Sequence, residues 1–182
     1  MSELKVLITR EQIASRIAVL GEEITRDFAG KAVVFIGVLK GAAIFLSDLA
    51  RQVRLDATFD FIGVSSYGVR PTPAQELKQG WDSTGIVKVT KDVDQSMADK
   101  NVILVEDILD TGLTLTYLKQ LLLAHHPRSL KIAALLDKPS RRKRPMQADY
   151  VGFEIEDEFV VGYGLDYAER YRNLPDICVV PR

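Results

Sequence analysis

The sequence predicts an α/β protein built on a mostly parallel sheet flanked by helices, and three observations lead there. Two apolar runs, Ala32 to Val38 and Val102 to Val105, each enter a small-residue turn and then a stretch of helical spacing, the strand–loop–helix unit of parallel sheets. The run Val102 to Val105 has no polar alternation, as expected of a strand covered on both faces. With 182 residues and 47% hydrophobic content the chain can bury one sizeable core, and nothing marks a second, so residues 1–182 are read as a single domain.

Residues 4–9 have the pattern of a short leading strand, after which Ile13, Ile17, Leu20 and Ile24 recur at helical spacing from about Arg10 to Phe28. Thr9 can cap that helix together with Gln12, three residues on, and Gly30 ends it. The next unit is strand Ala32 to Val38, loop Leu39-Lys40-Gly41 and a helix from about Ala42 to Val53. Thr58 to Ser65 alternates apolar and polar residues, a strand that ends in Ser65-Ser66-Tyr67-Gly68. From Val69 to Gly85 the chain has Arg70, two prolines, two glycines and Trp81 without a period, which predicts a long loop before a strand from Ile86 to Thr90. The second unit runs from Val102 through Glu106-Asp107-Ile108-Leu109-Asp110-Thr111-Gly112-Leu113-Thr114 into a helix reaching about Ala124, closed by His125-His126-Pro127. Leu130 to Leu136 is a further buried strand, and Tyr150 to Phe153 and Phe159 to Val161 flank the acidic segment 154–158. The run Arg141-Arg142-Lys143-Arg144 reads most simply as a solvated loop.

A net charge of −1 and a pI near 6.1 argue against nucleic acid or another polyanion as the main partner. A single cysteine, Cys178, excludes an internal disulfide and a cysteine-based zinc cluster, and fits a small hydrophobe in a late strand. The polar start Met1-Ser2-Glu3 and the lack of a long apolar run lead to the expectation of a soluble, cytoplasmic protein without a membrane partner.

The chemistry concentrates on residues 106–114. Asp110-Thr111-Gly112-Leu113-Thr114 can offer successive backbone N–H groups and two hydroxyls to a phosphate at a helix start, where the helix dipole also favours an anion. Glu106, Asp107 and Asp110 would repel a bare phosphate, but a Mg²⁺-bound sugar phosphate brings both a cation and hydroxyls to the acids. Asp110 is equally a residue type that caps helices, the other two equally solvated acids, and Lys40 taken alone reads rather as a solvated loop lysine.

Val-Glu-Asp-Ile-Leu-Asp-Thr-Gly-Leu-Thr, residues 105–114, resembles the 5-phosphoribosyl-1-diphosphate (PRPP) binding motif of type I phosphoribosyltransferases. The segment Phe159-Val160-Val161-Gly162-Tyr163-Gly164-Leu165-Asp166-Tyr167 resembles the purine-binding segment of the hypoxanthine-guanine branch, and the likeness extends over nearly the whole chain. It implies the type I fold, with a mostly parallel sheet and a small hood formed by segments at about 1–10 and 138–182. It also implies transfer of a phosphoribosyl group from PRPP to a 6-oxopurine with Mg²⁺ as cofactor, in a homodimer or homotetramer.

By position, Lys40 and Gly41 match the diphosphate loop, in which the family has a non-proline cis peptide, and Arg172 matches an arginine that contacts diphosphate. Glu106 and Asp107 would hold ribose hydroxyls and metal-bound water, Asp110 would be the general base, and Thr111, Gly112, Leu113 and Thr114 would hold the phosphate. Lys138, Phe159, Val160 and Asp166 match the purine pocket, Asp166 also as a Mg²⁺ ligand beside Glu106 and Asp107; Phe159 taken alone reads rather as a core aromatic. Ser66 and Tyr67 match the start of a mobile lid over about 66–85, a loop longer here than in the commoner family pattern. A PRPP-sensing nucleic-acid-binding regulator on the same fold is the alternative, although it would need neither the base nor the purine pocket.

Overall fold

The two strand–loop–helix units end up side by side at the centre of the sheet. A computed structural model describes residues 4–66 and 87–181. The elements are β1 (Lys5–Ile8), α1 (Arg10–Asp27), β2 (Val33–Leu39), α2 (Ala43–Gln52), β3 (Ala57–Ser66), β4 (Val87–Lys91), β5 (Asn101–Leu109), α3 (Leu113–Leu123), β6 (Ser129–Asp137), β7 (Tyr150–Glu154), β8 (Val160–Val161) and β9 (Ile177–Val179). The large sheet has the order β4-β3-β2-β5-β6-β7, parallel throughout except for the antiparallel edge strand β4. A second sheet, β1-β9-β8, is antiparallel and joins the two ends of the chain. Since β7 belongs to the large sheet, the small sheet draws its later strands only from Val160 onward.

The period of two along the central strands divides the core. Phe35, Ile103, Val105, Ala133 and Leu135 pack under α1 and α2 with Ile13, Ile17, Leu20, Phe45 and Leu49. Val34, Ile36, Val102, Leu104 and Ala134 face Leu115, Leu118 and Leu122 of α3. Burying each such aliphatic side chain contributes about 1.5–3 kcal/mol, so alternate residues of one strand fix helices on opposite faces. The capping box at α1 forms as predicted, with Gln12 N–H donating to Thr9 Oγ1 at 3.3 Å and Thr9 N–H to Gln12 Oε1 at 2.8 Å.

From β2 the chain moves outward to β3, and from β5 it moves outward the other way to β6. The carboxyl ends of β2 and β5 therefore flank the point where strand order reverses, the place where open α/β sheets bind ligands. Among the described residues no helix is long and apolar enough to cross a membrane.

Candidate active site

A cleft of about 360 Å³ opens at that point, lined by both strand-end loops and by two residues brought over from the C-terminal segment. Lys40, Gly41, Glu106, Asp107, Asp110, Thr111, Gly112, Thr114, Asp166 and Arg172 all line it. Leu113, the first residue of α3, does not line it.

The acids lie on the strand itself. Charge ends the apolar run at Val105, but the backbone keeps pairing with β6, Glu106 opposite Ala134 and Ile108 opposite Leu136, so β5 reaches Leu109 instead of stopping at Val105. Glu106 is buried at 7% exposure, and burial holds its carboxyl well above the ordinary value, with the negative charge of Asp107 pushing the same way. Burial also raises Asp107, against the pull of hydrogen bonds from Glu106 and Ile108 and the charge of Arg172. Asp107 accepts one backbone hydrogen bond, from Ile108 N–H at 2.8 Å.

The diphosphate-loop residues meet this pair at very short range. The Leu39–Lys40 peptide is cis. A Cβ at Gly41 would overlap Asp107 Oδ2, so only glycine lets the two loops approach. Lys40 Nζ donates to Glu169 Oε2 at 2.9 Å, while Arg172 pairs with Asp166 Oδ1 at 2.7 Å and donates to the Gly164 carbonyl at 2.8 Å. The other Asp166 oxygen accepts Glu169 N–H at 2.8 Å. Arg172 Nε is buried with no hydrogen-bond partner among the described residues, an unsatisfied donor at the cleft.

Asp110 does not cap α3. Gly112 occupies the N-cap in the left-handed region, φ 81°, a conformation an L side chain adopts only under strain. Asp110 pairs instead with Arg141, whose Nε lies 2.8 Å from Oδ1 and whose Nη1 lies 3.4 Å from Asp157 Oδ1. The basic run 141–144 is thus only half solvated: Arg141 and Arg142 are partly buried in ion pairs, while the side chains of Lys143 and Arg144 are exposed. Arg142 donates to the Leu109 carbonyl at 2.9 Å, also to the Asp110 carbonyl, and pairs with Asp137, while the N–H groups of Lys143 and Arg144 both donate to the Thr111 carbonyl. The run was visible in the sequence, but its partners on Leu109, Asp110 and Thr111 lie about thirty residues away, which no local pattern records.

Of the residues matched to the purine pocket, Asp166 lines the cleft, while Lys138, Phe159 and Val160 do not. Lys138 is buried, its N–H donating to the Leu109 carbonyl at 2.9 Å and its Nζ to the Glu158 carbonyl at 2.6 Å. Burial holds its ammonium below the ordinary lysine value, opposed by the carboxylates of Asp110 and Asp157. Phe159 is half-buried, edge-to-face with Tyr167 at 5.6 Å, and Val160 is buried in β8 opposite Val179. The side chain of Ser66 and residues 67–86, which include Tyr67 and most of the expected lid, lie outside the described residues. Among the described residues no group of three or more His, Cys, Asp or Glu side chains is arranged to hold a metal by itself.

Residues 7–168 match the model of the phosphoribosyl transferase domain. Over 176 residues the chain is 47% identical to hypoxanthine-guanine phosphoribosyltransferase of Bacillus subtilis (strain 168), covering 97% of this chain and 92% of that one. A crystal structure of a hypoxanthine-guanine phosphoribosyltransferase from Bacillus anthracis superposes with a TM-score of 0.88 at 49% identity, covering 98% of this chain and all of the other. A hypoxanthine phosphoribosyltransferase from Staphylococcus aureus gives a TM-score of 0.88 at 46% identity, over 97% and 91% of the two chains.

Proposed function

The chain belongs to the phosphoribosyltransferase family, and we infer that it serves purine salvage, transferring 5-phosphoribosyl from PRPP to hypoxanthine, guanine or both and releasing diphosphate. The observation that carries this is the meeting of the two strand-end loops, Leu39 to Gly41 and Glu106 to Thr114, in one cleft that Arg172 and Asp166 complete. A sugar carrying phosphate at one end and diphosphate at the other spans such a pair of loops.

The amides and hydroxyls of Thr111 to Thr114, at the positive end of α3, hold the 5-phosphate. Glu106 and Asp107 accept from the ribose hydroxyls, which adds donors to a pair that has one backbone N–H on each carboxylate. As the bond from the anomeric carbon to diphosphate oxygen lengthens, positive charge grows on the sugar and negative charge on the leaving group. Lys40 and Arg172 stabilise that departing charge, exchanging Glu169 and Asp166 for phosphate oxygens, and the free Nε of Arg172 gains a partner. A purine ring nitrogen then bonds to the anomeric carbon, and Asp110 takes the proton that this nitrogen gives up. Lys138, which can only donate, holds the 6-oxo group, with Phe159 stacking on the ring and Val160 reading its edge through backbone groups.

The hard oxygen donors of Glu106, Asp107 and Asp166 suit Mg²⁺, which normally takes one or two carboxylates and completes its shell with substrate oxygens. Bound there it would neutralise charge on the diphosphate, and Asp166 would have to release Arg172 to take part. A dimer or tetramer in the cytoplasm completes this reading. The test is purified protein with PRPP, Mg²⁺ and each purine in turn. Nucleotide formation with hypoxanthine or guanine and none with adenine is expected; no product with any 6-oxopurine would overturn it.

A further inference from the structure

Outside the roles just assigned, the basic run 141–144 is the feature of the fold that bears most directly on the reacting groups. We propose that Arg141 is a positioning residue for the proton transfer, holding the Asp110 carboxylate between the phosphate turn and the purine wall. This deepens the proposed function and rests on Asp110 as the base.

Asp110 sits at the end of β5, about a third exposed, on a side chain with two rotatable bonds. A base must meet the purine proton within hydrogen-bond reach, and a displacement of about 1 Å can cost about 10²-fold in rate. Among the described residues Arg141 is the one side chain hydrogen-bonded to Asp110, and it occupies only Oδ1, which leaves Oδ2 to accept. Its planar fork reaches Asp157 at the same time, so the guanidinium is fixed from both sides.

The mounting is rigid. Arg141 closes a short 3-10 turn, Pro139–Arg141, whose proline presets the backbone, and its own N–H donates to the Lys138 carbonyl at 3.2 Å. The next residue, Arg142, clamps the carbonyls of Leu109 and Asp110, so the turn that carries the base and the turn that carries its partner move together. Arg141 also settles a competition. The Lys138 ammonium feels the charge of Asp110 as well as that of Asp157 and Glu158. Without the guanidinium, Asp110 would turn toward that ammonium, which would remove the base from its task and the donor from the 6-oxo group together.

The experiment is a double-mutant cycle with PRPP, Mg²⁺ and hypoxanthine. Arg141→Ala should lower kcat about 10-fold or more while PRPP affinity by titration calorimetry stays near wild type, and Arg141→Lys should restore part of the loss. In the Asp110→Asn background, Arg141→Ala should have no further effect on kcat, because the residue acts through the base. An unchanged kcat in Arg141→Ala, or losses that multiply in the double variant, overturns the proposal and would mark a structural ion pair. Should Asp110→Asn itself turn over normally, the base assignment falls first, a result distinct from a normal Arg141→Ala beside a crippled Asp110→Asn.

Discussion

Two buried carboxylate sites stand two strands apart in the same sheet, Asp60 on β3 and the pair Glu106–Asp107 on β5, and they are satisfied in opposite ways. Asp60 accepts from the N–H groups of Phe61 at 2.7 Å, Asp94 at 2.6 Å and Gln95 at 3.3 Å, and from Lys91 Nζ at 3.3 Å. Burial would raise its carboxyl, but these donors together hold it below the ordinary value. The β5 pair is raised, by burial in both and in Glu106 also by the charge of Asp107. Asp60 has its partners built in and ties residues 91, 94 and 95 to β3. The β5 pair has one backbone N–H on each carboxylate, and under the proposed function further donors come from the substrate. A carboxylate pair raised by burial and held by one backbone N–H each is thus a stronger site signal than a buried carboxylate with four donors.

The comparison breaks or holds on variants that separate activity from stability. The largest effect is expected at the cleft: Asp110→Asn should lower turnover by about 10²–10⁴-fold with PRPP affinity little changed, since the amide keeps the shape and cannot take the proton. Near-normal turnover in steady-state kinetics would remove Asp110 as base. Next, Gly112→Val should abolish PRPP binding by titration calorimetry, because a β-branched side chain resists φ 81° and its Cβ would press on the Arg144 carbonyl at 3.1 Å and Met146 Cβ at 3.2 Å. Unchanged affinity would remove the phosphate turn. Glu106→Gln should weaken PRPP binding while raising the urea midpoint in metal-free buffer, by a gain of about 1 kcal/mol from relieving like charge. A fall in stability would mean that the pair is internally satisfied after all, like Asp60.

The layering of the fold was legible because apolar runs and helical periods are local. The loops that carry the cleft residues were legible because residue type and spacing recur together there. Three things were not. The length of β5 was hidden because side-chain charge ends an apolar run without ending backbone pairing. The N-cap of α3 was hidden because Asp110, Thr111 and Gly112 are all acceptable caps, and only the Arg141 ion pair takes Asp110 out of contention. Asp60 read as one polar residue in an alternating strand, for all its donors but the adjacent Phe61 N–H come from residues 91–95, beyond the long loop.

The smallest expected effect belongs to Asp60, and its pH dependence gives the comparison its sign. In Asp60→Asn the amide turns donors toward backbone N–H groups or the Lys91 ammonium, so at neutral pH stability should fall by about 1–3 kcal/mol with turnover unchanged. The folded carboxyl titrates below its unfolded value, near 3.9, so its contribution is full above that value and is lost as pH falls through the folded one. The gap in urea midpoint between wild type and Asp60→Asn should thus stay constant from about pH 8 to about pH 5 and close below about pH 4. The β5 pair has the opposite sign, since its raised folded values make its cost appear as pH rises and vanish as pH falls. The gap between wild type and Glu106→Gln should accordingly narrow toward acid from the other side, the variant being the more stable partner at neutral pH. If both gaps closed from the same side, or if the Asp60→Asn gap ignored pH, the two sites would not differ in the way their donors indicate.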